Sequence, residues 1–111
     1  MITENIIKTL SELVSIQSIS SDANHKEDVL KSAEYVNELF SSLGLETKIA
    51  TSGNSRPAVL AQTDIDPTKK TILLYAHHDV QPVGDIDKWK NEPFTPKVID
   101  GRLFGRGSGD N

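Results

Sequence analysis

Three consecutive side chains, His77, His78 and Asp79, close a short apolar run and are the residues here best suited to chemistry. Alternation along an extended segment turns His77 and Asp79 to one side and His78 to the other. A carboxylate two positions from an imidazole can accept one ring N–H. That fixes the tautomer and leaves the other nitrogen for a metal ion. A capped or solvent-facing histidine at a strand end is the plainer reading of the same residues. Gly105-Arg106-Gly107-Ser108-Gly109 leads into Asp110, which stands thirty-three positions beyond His77. Alternate glycines permit positive φ and close backbone approach. The string matches neither G-x-G-x-x-G nor the Walker A pattern, which argues against a phosphate cradle. Two readings remain: a flexible hairpin tail, or a loop that aims Asp110 into a buried site. Zinc takes nitrogen and oxygen ligands. His77 and Asp110 offer one of each, and a carboxylate can bridge the two ions of a hydrolytic pair. His25 and His78 do not obviously complete such a site, so residue types alone leave a two-metal centre underdetermined.

The elements that must position these groups show in the hydrophobic spacing. Residues 2–16 carry Ile2, Ile6, Leu10 and Leu13, with Ile7 and Val14 alongside, at the i, i+3, i+4 intervals of an amphipathic helix. The hydroxyl-rich stretch Ser18-Ile19-Ser20-Ser21-Asp22 breaks that period and offers caps for the next helix. A second helix is predicted from residue 24 or 25 to 43. Its buried stripe is Val29, Leu30, Ala33, Val36, Leu39, Phe40 and Leu43, and Gly44 takes the C-terminal cap. Residues 45–50 alternate as a half-buried strand does, and 57–61 read as another strand with Pro57 at its tolerated first position. The continuous apolar run at 71–76 predicts a central strand covered on both faces, delivering His77 at its C-terminal end. Asp100-Gly101 between two short apolar runs predicts a two-residue hairpin. Trp89 and Phe94 read as anchors of the long loop, and Arg102 and Arg106 as solvated charges. The expected fold class is α/β: two helices packed on a mixed β-sheet, with a hairpin towards the end.

Composition narrows the function classes. The 111 residues carry 12 Lys and Arg against 16 Asp and Glu, a net charge of -4, with only 5% aromatic residues. No basic stripe is present to meet nucleic acid. Cysteine is absent, which removes disulfides and zinc-thiolate sites. No apolar run approaches the roughly 20 residues of a membrane span, and the N-terminus lacks the form of a signal peptide. A cytoplasmic protein is expected. The end at Asn111, directly after the glycine-rich stretch, suggests truncation.

Taken together, the motifs resemble a known family. Leu74-Tyr75-Ala76-His77-His78-Asp79-Val80-Gln81-Pro82 looks like the first metal motif of the co-catalytic zinc peptidases, which include carnosinase-type dipeptidases, acetylornithine deacetylase and succinyl-diaminopimelate desuccinylase. Trp89-Lys90-Asn91-Glu92-Pro93-Phe94-Thr95-Pro96, the stretch from Asp100 to Gly107, and Asp110-Asn111 continue the pattern in order. Val80-Gln81-Pro82 and the interval from His77 to Asp110 lean to the dipeptidase branch. Ala76, His78 and Ser108-Gly109 depart from the commoner residues without removing a ligand. The resemblance implies that residues 1–111 are the N-terminal portion of a metallopeptidase catalytic domain. The rest of that domain and a lid domain would lie beyond. It implies His77 as ligand of one divalent ion and Asp110 as bridge between two. Asp79 would be a catalytic residue that orients His77 without ligating, and a cis peptide bond would join Asp110 to Asn111. The ions would be zinc, with manganese or cobalt as alternatives. The substrate would be a dipeptide or small N-acyl amino acid cleaved at its amide bond by metal-activated water. The oligomeric state of the complete protein is left open, a homodimer being one option, and this stretch alone would be inactive. A non-catalytic binding module, or a decayed gene product retaining the fold's opening, is the other class of reading.

Overall fold

The computed structural model describes residues 2–110. Helix α1 spans Ile2–Val14 and helix α2 spans Lys26–Ser42, preceded by a single 3-10 turn at Ala23–His25. Strands β1 (Glu46–Ala50) and β2 (Ala58–Gln62) follow, then β3 (Lys97–Ile99) and β4 (Arg102–Phe104). Asp22 starts the second helical segment by accepting the Asn24 amide at 2.9 Å, the role expected of an N-cap carboxylate. Gly44 ends it with φ +82°. Its amide donates to Ser41 O at 2.9 Å and the Leu45 amide to Phe40 O at 3.3 Å, the paired bonds of a Schellman cap.

β1 and β2 pair antiparallel, from Glu46 opposite Gln62 to Ala50 opposite Ala58, and α2 packs on both. β3 and β4 pair antiparallel across Asp100-Gly101, whose φ values of +49° and +74° make the primed turn that suits strand twist. The two ladders remain separate two-stranded sheets. The α/β class holds, and the mixed sheet does not form among the described residues.

The missing piece is the expected central strand. Residues 71–76 belong to no strand, and Ile72, Leu73, Leu74 and Tyr75 are 81–92% exposed. An apolar run records which side chains need cover on both faces; it does not supply the neighbours that give it. The chain's one isolated parallel bridge among the described residues comes just after, between Ile19 and Val80, with the Val80 amide on Ser18 O at 2.9 Å.

The molecule is a slab, 53 × 40 × 20 Å, so few side chains have neighbours on both sides. The buried set is Val14, Ile19, Val29, Ala33 and Pro93, with the hydroxyls of Ser18 and Ser32 among them. The expected α2 stripe narrows accordingly: Leu30 and Leu43 lie exposed while Val29 and Ala33 are covered. α1 is tied to α2 by Tyr35, whose hydroxyl donates to Glu12 Oε2 at 2.8 Å. Partial burial, with the Glu12 carboxylate beside it, pushes that phenol up to about 12.

Candidate metal centre

The turn after residue 76 is held from one side by the serine loop. Ser18 Oγ donates to His78 O at 3.2 Å, and the Ser20 hydroxyl donates to Asp79 Oδ2 in a short bond. Asp79 Oδ1 faces His77 Nδ1 at 3.1 Å, and Asp79 O faces the same nitrogen at 3.0 Å. Two acceptors face Nδ1, so the neutral ring keeps its proton there and turns the Nε2 lone pair toward Asp110, while the charged ring donates from both nitrogens. That nitrogen lies 3.2 Å from Asp110 O and 3.8 Å from Asp110 Oδ2.

The glycine-rich segment makes this approach possible. At Gly105 a Cβ would stand 2.6 Å from Val14 Cγ1 and 3.3 Å from Pro93 O. At Gly107, φ +94°, it would stand 2.7 Å from Val80 Cγ1. The segment therefore presses against α1 and the 80s loop and delivers Asp110 to His77, 33 residues away in sequence. His77, Asp79 and Asp110 line an open cleft with Leu13, Val14 and Val80.

The donor set tests the fit of a metal. With His77 neutral, Nε2 and both Asp110 oxygens are electron-rich atoms turned toward one another. A shared cation, proton or metal, relieves that repulsion. Nitrogen and oxygen donors 3.8 Å apart are close to the separation of two ligands on one zinc ion, whose bonds are about 2.0–2.2 Å. The fit covers two ligands only. Among the described residues, no three His, Cys, Asp or Glu side chains gather into a metal-holding group.

Charge follows the same geometry. Partial desolvation pulls the His77 imidazole down, but the acceptors of Asp79 and Asp110 outweigh it and leave it raised above 6.5. Desolvation pushes the Asp79 carboxyl up, while the Ser20 hydroxyl and His77 pull it further down, to below 3.8. The His77 contribution to stability is complete below its unfolded value and fades as pH rises through the raised one. The Asp79 contribution is present above its unfolded value and fades as pH falls through the lowered one. Both act together between 3.8 and 6.5. A metal ion held at Nε2 would compete with the His77 proton and bind more weakly as pH falls.

Other expected residues lie elsewhere. His25 pairs with Asp28 at 2.9 Å, away from the cleft. Arg106 is not a solvated charge: Nη2 donates to Pro82 O at 2.6 Å and the guanidinium stacks 5.2 Å over Trp89. The peptide bond joining Asp110 to Asn111 lies outside the described residues. Sequence reasoning missed Ser18 and Ser20. Their hydroxyl-rich loop reads as a source of helix caps, and only Asp22 serves as one.

Known proteins resemble this chain in sequence and in fold. Residues 73–111 match the peptidase family M20/M25/M40. A Cys-Gly metallodipeptidase of Schizosaccharomyces pombe is 37% identical over 97% of this chain. The crystal structure of human carnosine dipeptidase 1 superposes with a TM-score of 0.90, at 30% identity over 97% of the chain. The chain belongs to the M20 peptidase family. An M20 metallo-carboxypeptidase of Sulfolobus solfataricus also superposes, with a TM-score of 0.82 and 34% identity over 94% of the chain. This M20 chain covers 25% of the yeast relative, 25% of the human structure and 23% of the archaeal one.

In this M20 chain, Asp79→Asn keeps an oxygen for His77 Nδ1–H and replaces the second acceptor by an N–H₂. In the complete protein, metal-dependent turnover is expected to fall about 10–100-fold while affinity for metal stays within about ten-fold. Elemental analysis beside steady-state rates checks this, and outright metal loss would contradict an orienting role.

Proposed function

We propose that the protein carrying this chain is a metal-dependent hydrolase that cleaves the amide bond of a dipeptide or small N-acyl amino acid. The observation that carries the reading is the convergence of His77 Nε2 and Asp110, with His77 Nδ1 committed to Asp79. His77 and Asp110 would hold divalent metal, two zinc ions being the first choice and manganese or cobalt the alternatives. When bound, such ions polarise the scissile carbonyl and lower the pKa of water. The chain's own residues keep the site ready. Asp79 retains the proton on Nδ1, Ser20 holds Asp79, and the glycine segment sets Asp110. The remaining ligands and the general base would come from sequence outside residues 1–111, and this stretch alone would not turn over substrate. Relatives named for Cys-Gly and β-Ala-His dipeptides support the dipeptide class.

The test uses the product of the complete reading frame. Expected are bound divalent metal on elemental analysis and hydrolysis of Cys-Gly, β-Ala-His or an N-acyl amino acid. A chelator should abolish that hydrolysis and added zinc or manganese restore it. Hydrolysis indifferent to chelator, or a metal-free protein that no divalent ion activates, sinks the proposal.

A further inference from the structure

His78 is the one residue of the His77, His78, Asp79 trio that the metal reading leaves without work, yet it is tied at both ring nitrogens. Nδ1 lies 2.6 Å from Ser32 Oγ on α2, and Nε2 lies 3.0 Å from Pro57 O, just before β2. Ser32 is fully buried. A carbonyl oxygen only accepts, so Nε2 must carry a proton. In the neutral ring Nδ1 then holds a lone pair and accepts the Ser32 hydroxyl proton. The reverse tautomer would set the Nε2 lone pair against Pro57 O. Ser32 Oγ also lies 2.9 Å from Val29 O, but it has a single proton, and a neutral His78 claims it.

We infer that His78 is a positioning residue: its ring, held as the Nε2–H tautomer between Ser32 and Pro57 O, clamps the 77–79 turn to α2 and β2. The turn so held carries His77 and sets its Nδ1 against the two Asp79 acceptors. The backbone of this turn follows no regular ladder until Val80. The clamp supplies what a strand neighbour would otherwise supply: a fixed orientation of the backbone that carries His77 and Asp79. It also removes His78 from the ligand set, because neither nitrogen is left to donate a lone pair.

The clamp rests on the hydrolase reading only where activity is measured, and the first measurement needs none. Nitrogen-15 NMR of the metal-free complete protein at about pH 8.5, above the ordinary imidazole range, reads both tautomers directly. Expected are Nδ1–H for His77 and Nε2–H for His78. In His78→Leu and Ser32→Ala, the His77 signals should move toward a tautomer mixture. Zinc affinity should fall about ten-fold, and kcat should drop more than KM. His78→Gln, which can still donate to Pro57 O, should recover part of both. Nδ1–H on His78 in the original protein overturns the inference. So does an unchanged His77 tautomer and zinc affinity in Ser32→Ala, the variant that decides if His78→Leu fails to fold. Expected tautomers in a protein without hydrolytic activity would sink the hydrolase reading and leave the clamp standing. Scrambled tautomers in an active enzyme would do the reverse.

Discussion

Replacing His77 with alanine in the complete protein is expected to strip metal from the site and abolish hydrolysis. The side chain contributes the nitrogen that faces Asp110, at 3.2 Å from its carbonyl and 3.8 Å from its carboxylate. No other described imidazole stands by to replace it: His25 is paired with Asp28, and both His78 nitrogens are occupied. Loss of a direct ligand should exceed the roughly 10–100-fold cost of losing an outer partner, so affinity should fall by more than about 100-fold. The measurement is metal per protomer after gel filtration, set beside the rate on a dipeptide. Unchanged metal content in this variant removes His77 from the ligand set.

Gly107→Ala should destabilise the protein by roughly 2–4 kcal/mol, through backbone strain and overpacking together. Its φ of +94° is one that side chains rarely adopt, and the new methyl would stand 2.7 Å from Val80 Cγ1. Valine is branched at Cβ and has little rotamer freedom with which to move away. Val80 also anchors the bridge to Ile19, so its displacement would disturb the segment that carries His77 and Asp79. Denaturant melts of the two proteins give the difference directly. Two variants of equal stability would mean that the loop relaxes around a methyl and that the glycine is not needed for close approach.

Features governed by a few adjacent dihedrals were legible from residue order alone. The helix that ends at Gly44 needs a left-handed residue there, and the turn at Asp100-Gly101 needs two positive φ values. Each demand is met by the residue at the spot. The α/β class followed from the same local signals, and the resemblance to the M20 peptidase family was legible because its motifs are short and ordered along the chain.

Tertiary structure decided matters that depend on distant partners. Residues 71–76 have the composition of a covered strand but lie exposed, since a strand exists only where another backbone accepts its hydrogen bonds. Ser20 reaches Asp79 across 59 positions, Ser32 reaches His78 across 46, and Asp110 reaches His77 across 33. No periodicity records such pairings. Residue order settles the preferences of each short segment, because those are costs paid within a turn or two of chain; which imidazole nitrogen keeps its lone pair depends on what packing brings alongside it.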